Sequence, residues 1–237
     1  MKILIVNDDG IESEGLAVLV KWAVQHGNVT VVAPKTQQSG KSHAITIHDP
    51  FEVKKVTLNL SEKVAYYVNS TPVDCVRFGT LGLNQQYDLI LSGINRGYNL
   101  GEDILYSGTV GAVFEAALRR TRGIAFSTVH TTFTYAQQAL DEIWEYFNKH
   151  KLFDRNLIYN VNIPPEYKGI RETRQGGPYF SDEFVDNGDG TWQQNGYCVH
   201  DNRHDETLDT DATIDGYVTI TPLTIDRSAP RRGADKV

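Results

Sequence analysis

The chain is 237 residues long, 40% hydrophobic, with a formal net charge of -7 and two cysteines. The acidic balance argues against a broad basic surface for a nucleic-acid duplex, and Cys75 and Cys198, outside any CxxC spacing, argue against a disulfide scaffold. No stretch approaches the ~20 apolar residues of a membrane span, and the opening apolar run is too short for a signal peptide, so a cytoplasmic protein is expected.

The apolar content suffices for one sizeable core. A single domain over 1–237 is expected, with its core over about 1–170 and an arm and C-terminal segment over about 171–237. Ile3–Val6 is a continuous aliphatic run and reads as a strand buried on both faces. Leu16, Leu19, Val20, Ala23 and Val24 recur at helical spacing, and Gly27 is placed to end that helix. Asn28–Pro34 is the next strand, stopped by its proline. Strand, helix, strand in this order predicts a parallel sheet with right-handed crossovers.

"SHAITIHDPFEVKKV" alternates without a helical stripe and predicts an extended or hairpin excursion. Val64–Pro72 is strand-like and leads into a helix from about Val73 to Leu83. Tyr87–Asn95 is another buried strand; a polar, glycine-rich loop follows, then a helix from about Gly108 to Arg120. "GIAFSTV" is a further strand. Ala136, Ala139, Leu140, Ile143, Trp144 and Phe147 form the apolar stripe of a last long helix. "LIYNVNIPP" is a strand closed by two prolines, and Asp215–Asp226 alternates as another. Between them, Glu172 to about Asp215 is rich in Gly, Asp, Asn, Gln and Tyr and predicts long hairpins or a protruding arm. The tail "RSAPRRGADKV" is polar and expected to be mobile unless a partner holds it.

In open parallel sheets, ligands gather at the carboxyl ends of strands, near the reversal of strand order. Three motifs fall there. Asp8 and Asp9 follow the first strand; "KTQQSGKSHA", with Ser39, Lys41 and His43, follows the second; "INRGYNLGEDILYSGTVG", with Asn95, Arg96, Asn99, Ser107 and Thr109, follows the strand at Tyr87.

Two adjacent carboxylates repel, and a buried one takes up a proton unless something neutralises it. One reading of Asp8–Asp9 is a turn in which an aspartate caps the following helix, although Glu12 and Ser13 lie nearer its start. The other is a divalent cation on hard oxygen ligands. The rim supplies carboxylates, the Ser39 hydroxyl and the Asn95 amide without a histidine–cysteine cluster, so Mg2+ or Mn2+ fits better than zinc. Ser107, Gly108 and Thr109 at a helix start suit a phosphate, through free backbone N–H groups and the helix dipole, or an ordinary hydroxyl cap. His43 suits proton transfer or substrate contact, and equally a structural hydrogen bond. Arg96 and Arg174 are candidate anion contacts. "HDNRHDETLDTD" (His200–Asp211) is read as a solvated acidic loop in preference to a second metal site.

Two look-alikes fail. "KTQQSGKS" has Lys35 where a P-loop needs its first glycine, and an alternating stretch where the helix should begin. A phospho-receiver domain also carries an acidic pair after its first strand, but its acceptor aspartate would fall near Gly93. A receiver-like or non-catalytic nucleotide-binding domain is therefore the rival reading.

The stretches "NDDGI", "VVAPKTQQSGKSHAIT", "STPVDCV", "DLILSGINRGYNLGEDILYSGTVGA", "NVNIP", "TRQG" and "DGYVTITPL", in this order, closely resemble the SurE (survival protein E) nucleotidases. The resemblance implies a cytoplasmic, metal-dependent phosphatase acting on nucleoside 5′- and 3′-monophosphates, with one Mg2+ or Mn2+ per subunit. It implies metal ligands at Asp8, Asp9, Ser39 and Asn95, and a phosphate environment of Asn99, Ser107, Gly108 and Thr109. Asp8, Asn95, Asn99 and His43 are the catalytic candidates, and Arg96 joins the substrate contacts. The implied fold is a Rossmann-like α/β core, a mostly parallel sheet with helices on both faces. A β-hairpin arm and a C-terminal extension would be used in oligomerisation, giving a homodimer or homotetramer.

Overall fold

The computed structural model describes residues 1–228; residues 229–237, most of the polar tail, lie outside the described residues. The aliphatic runs become strands β1 (Lys2–Val6), β2 (Asn28–Pro34), β3 (Val53–Val56), β4 (Val64–Val68), β5 (Leu89–Arg96), β6 (Arg122–Thr128), β7 (Ile158–Ile163), β8 (Ile170–Glu172) and β11 (Val218–Leu223). They form one sheet in the order β3-β4-β2-β1-β5-β6-β7-β11-β8. From β4 to β7 all neighbours are parallel. Antiparallel pairing enters at the flanks, where β3 joins β4 and β11 joins β7.

Successive strand residues face opposite sides of a sheet, and here both sides are buried. Ile3 and Ile5 pack with Leu16, Leu19 and Val20 of α1 (Glu14–Ala23) and with Ile143 and Phe147 of α4 (Thr134–Lys149). Leu4 and Val6 pack on the other side with Cys75 and Val76 of α2 (Pro72–Arg77) and Ala112 and Ala116 of α3 (Gly108–Leu118). Full burial of a side chain such as Leu16 or Phe147 contributes about 1.5–3 kcal/mol. The fold is thus a mixed α/β layer structure with helices on both faces of a mostly parallel sheet. Among the described residues, no helix is long and apolar enough to cross a membrane.

Some elements differ from the sequence expectation. The helix expected to reach Leu83 is α-helical only over α2 and continues as a π-helical turn, Phe78–Gly82. The short helix α5 (Leu152–Arg155) carries too few residues to show a period. The polar region does form an arm: β9 (Phe180–Asp186) and β10 (Trp192–Cys198) make an exposed antiparallel hairpin, separate from the main sheet.

The acidic run before β11 is not a solvated loop throughout. Its end forms α6 (Asp209–Ile214), with Asp209 and Asp211 buried. Asp209 accepts from the backbone N–H of Gly176 at 2.7 Å and of Gly101 at 3.1 Å; Asp211 accepts from the N–H groups of Arg203 and Asp205. Irregular backbone packed out of water needs acceptors, and these carboxylates supply them.

The chain runs outward from β1 to β2 and β4, then returns to place β5 on the other flank of β1. The reversal of strand order therefore lies between β1 and β5, where a crevice opens at their carboxyl ends. Helix α3 lies close beneath the loop that follows β2. A Cβ added at Gly111 would stand 2.2 Å from the Ser42 carbonyl oxygen. In an open helix, Gly→Ala would stabilise by about 1 kcal/mol. Here Gly111→Ala should destabilise by about 1–3 kcal/mol, as overpacking does, measured by urea denaturation.

Candidate active site

Asp8 and Asp9 emerge from β1 into that crevice. Asn7 shapes the exit: its Nδ2 donates to the Gly10 carbonyl at 2.9 Å and to the Ser13 hydroxyl at 2.7 Å. Ser13, in turn, caps α1 by accepting from the Leu16 N–H. The cap is therefore filled, and neither aspartate serves it.

Asp8 is 5% exposed and its Oδ1 accepts from the Thr109 hydroxyl. Thr109 belongs to the first turn of α3, whose start is pressed against the carboxylate. A Cβ at Gly108 would lie 3.1 Å from the Asp8 Cβ and 3.3 Å from Oδ2. Asp9 is less buried; its Oδ2 accepts from the Arg96 N–H at 3.3 Å and its Oδ1 from Gln37 at 3.4 Å. Among the described residues, neither aspartate forms an ion pair with a basic side chain.

The other loops close around this pair. The Gln38 N–H donates to the Asp8 carbonyl at 2.7 Å, which sets Ser39 beside the aspartates. Farther along, the Ser42 N–H and hydroxyl donate to the carbonyls of Tyr106 and Leu105, tying the loop after β2 to the loop after β5. Asn95 is the next-to-last residue of β5, and its Nδ2 donates to the Gly97 carbonyl; among the described residues its amide oxygen has no hydrogen-bond partner. A one-residue bulge in β5 between Ser92 and Asn95 re-aims that side chain.

Asn99 is held by main chain and side chain together. Its carbonyl accepts from Asn160 and Asn162, its N–H donates to Asn162, and its Nδ2 donates to Ser127. Ser107 caps α3 by accepting from the Val110 N–H.

The result is a concavity of about 190 Å³ lined by Asp8, Asp9, Ser39, Asn95, Asn99 and Ser107, with the Arg96 backbone at its edge. Gly108 and Thr109 lie directly behind, against Asp8. Three of the expected residues point elsewhere. The Arg96 guanidinium turns away to Glu14 and the His130 carbonyl and lies over the Phe133 ring. His43 faces Glu115 at 3.3 Å, a buried carboxylate also held by Arg77 and Arg119. Arg174 is exposed, 3.8 Å from Asp205. Four lining residues escaped the sequence reading: Gln37, Gly40, Asp103 and Tyr106. Asp103 and Tyr106 stand inside the motif after β5, but only the 3₁₀ turn Gly101–Leu105 brings them to the rim.

Among the described residues, no three His, Cys, Asp or Glu side chains gather as a metal site. The available donors are two carboxylates, a hydroxyl and an amide oxygen, which are hard ligands of the kind Mg2+ and Mn2+ take. The electrostatics fit a cation as well. Burial, with the Asp9 charge adding, pushes the Asp8 carboxyl up to about 6 against the Thr109 hydrogen bond; burial also raises Asp9, opposed by Arg96.

A family model described as "Survival protein SurE" matches residues 3–182. The chain belongs to the SurE family. Proteins named 5′-nucleotidase SurE are similar over nearly the whole length. The one from Thermoanaerobacter sp. (strain X514) is 36% identical, covering 95% of this chain and 93% of its own; that of Neisseria gonorrhoeae is 37% identical, covering 97% and 94%. The crystal structure of a SurE protein from Aquifex aeolicus superposes with a TM-score of 0.79 at 33% identity, covering 96% of this chain and 95% of that one. The SurE-matched stretch contains every residue of the concavity and ends within the first arm strand.

A carboxyl whose folded pKa lies above its ordinary 3.8 stabilises the fold fully below that value and loses the contribution as pH rises through about 6. For Asp8 this amounts to at most about 3 kcal/mol. The melting temperature of chelator-treated protein should therefore fall between about pH 5 and about pH 7.5 more than that of Asp8→Asn. Added Mn2+ should restore it at the higher pH in the wild type alone.

Proposed function

We propose that this chain is a metal-dependent phosphomonoester hydrolase that releases phosphate from nucleoside 5′- and 3′-monophosphates. The observation that carries this reading is the pair Asp8–Asp9, buried or half-buried, without an ion pair among the described residues and set against the start of α3. The 5′-nucleotidase names of the relatives support the same substrate class. Asp8, Asp9, Ser39 and Asn95 would hold one Mg2+ or Mn2+ per subunit. Bound there, the cation supplies Lewis-acid stabilisation of charge on a phosphoryl oxygen.

The chain's own groups do the rest. Ser107 and the first-turn N–H groups of α3 receive the remaining phosphate oxygens, aided by the helix dipole. Asn99, fixed by Asn160, Asn162 and Ser127, presents its side-chain oxygen at a set position. Holding the ester in line with its attacker is most of what such a transfer requires. Thr109 occupies Oδ1 of Asp8, so Oδ2 is the oxygen left to act. Two roles fit it: taking the proton of an attacking water, or attacking phosphorus to form an aspartyl phosphate as the P–O bond to the nucleoside breaks and the nucleoside oxygen takes a proton from water, after which water cleaves the aspartyl phosphate. Trapping labelled phosphate on quenched enzyme separates them. His43, on Glu115, serves the scaffold.

Phosphate release from AMP should stop with EDTA and return with Mg2+ or Mn2+. Asp8→Asn and Asp9→Asn should each lower the rate at least about 100-fold, whereas His43→Ala should cost far less. Wild-type rates in both aspartate variants under added Mg2+ would overturn the reading. We further propose that the exposed Phe184, Trp192 and Tyr197 of the hairpin arm meet another copy in a homodimer or homotetramer. Light scattering should then give two or four times the 26.6 kDa chain mass, and a monomeric mass would refute it.

A further inference from the structure

The hairpin arm holds the chain's two Asn–Gly steps, Asn187–Gly188 and Asn195–Gly196. Such a step is chemically fragile, because glycine places no side chain between its own backbone nitrogen and the preceding asparagine amide. By sequence the two steps are equivalent, since each asparagine has the same successor. The fold makes them unlike.

Asn195 and Gly196 lie inside the ladder, opposite Glu183 and Asp182. They stand toward the root of the arm, where the Phe180 N–H donates to Asp103 Oδ2 at 2.9 Å and the Val199 N–H to the Tyr179 carbonyl at 3.0 Å. A Cβ added at Gly196 would stand 3.2 Å from Asp182 Oδ1, so the partner strand packs close. Asn187 and Gly188 instead lie beyond the last ladder pair, Asp186 with Trp192, and both are exposed. Gly188 has a φ of 77°, a left-handed conformation that glycine adopts without strain. A two-stranded hairpin opens first at such a free tip.

The tip also presents the reacting groups. The Gly188 N–H donates to Asp186 Oδ1 at 2.9 Å, so a proton acceptor already stands on the nitrogen that must attack. The Asn187 Nδ2 donates to the exposed Thr191 hydroxyl at 3.1 Å, a bond that water replaces at small cost. The adjacent Asp189–Gly190 step is protected chemically. Thr191 donates its hydroxyl and its N–H to Asp189 Oδ1, which holds that carboxyl below its usual range and keeps it ionised. An ionised carboxylate offers no neutral leaving group.

We propose that Asn187 is a site of spontaneous deamidation in the folded protein, from which Asn195 is shielded. The Gly188 nitrogen gives up its proton and bonds to the side-chain carbonyl carbon of Asn187. The bond from that carbon to Nδ2 breaks, and ammonia departs with the proton. Water then adds to one of the two carbonyl carbons of the cyclic imide, leaving either aspartate or isoaspartate. Nothing is oxidised or reduced, and water is the one co-reactant. Either product adds a negative charge to a hairpin, Phe180–Cys198, that already carries Asp182, Glu183, Asp186 and Asp189 and has no lysine or arginine. Isoaspartate also routes the main chain through the former side chain, lengthening the turn that sets the register of the arm. None of this depends on what the crevice hydrolyses.

The test incubates the full chain in neutral buffer at physiological temperature and follows its peptides by mass spectrometry for the mass gain of an amide turned acid. Asn187 should convert at least about tenfold faster than Asn195. Part of the product should accept a methyl group from isoaspartyl methyltransferase, and a more acidic form should separate on ion exchange. In urea the two rates should draw together, because the ladder no longer shields Asn195. Asn187→Gln should remove the early acidic form, since the longer side chain closes its ring far more slowly. Equal rates at the two sites in the folded chain would overturn the inference, as would an Asn187 that stays intact when folded and converts in urea. A preference that persists undiminished in urea would overturn it too, by tracing the difference to the sequence and not to the fold.

Discussion

Asp8 sits in low-dielectric surroundings beside a second carboxylate, and among the described residues no basic side chain faces it. Burying a charge without compensation is among the costliest things a fold can do. Yet the surrounding structure is arranged to keep Asp8 in place. Asn7 rigidifies the exit from β1, Ser13 takes over the capping of α1, Thr109 holds one carboxylate oxygen, and α3 closes against the side chain through Gly108. Four separate contacts thus fix a carboxylate that, among the described residues, meets no basic side chain.

The scaffold around this point relies on polar side chains bonded to main chain. Asn160 and Asn162 hold the Asn99 carbonyl, Ser42 holds the turn that carries Tyr106, and Asp209 holds Gly101 and Gly176 together. Each bond joins segments far apart in sequence. Loops alone are the softer parts of a fold, and these bonds give the rim the rigidity that positioning an ester demands. Asp209 also couples the turn at Gly101 to the base of the arm, so the arm's root and the rim form one continuous wall.

That wall gives the crevice two chemically distinct regions. The inner one gathers hard oxygen donors and helix N–H groups, suited to a cation and a phosphate. The outer one is acidic and aromatic, and holds no lysine or arginine among the described residues.

Much of this was legible in the sequence, because aliphatic runs, helical spacing and glycine or proline stops are local properties. Strands β1, β2, β4, β5, β6, β7 and β11, helices α1, α3 and α4, and the three motifs at strand ends follow from such patterns, whereas the three-residue β8 is too short to show one. Asp8, Asp9, Ser39, Asn95, Asn99 and Ser107 could be named together because parallel sheets deliver ligands to one edge. What the sequence could not decide was direction. Whether Arg96 faces the crevice or Glu14, and whether His43 faces substrate or Glu115, depends on partners distant in the chain. The acidic run ending at Asp211 looked solvated because its backbone partners, at Gly101 and Gly176 among others, lie far from it or show no periodicity. Local pattern determined the elements and the site's chemical inventory. Only tertiary packing decided which groups are aimed, which are tied off, and which acids share a wall, because burial and charge are properties of neighbours in space.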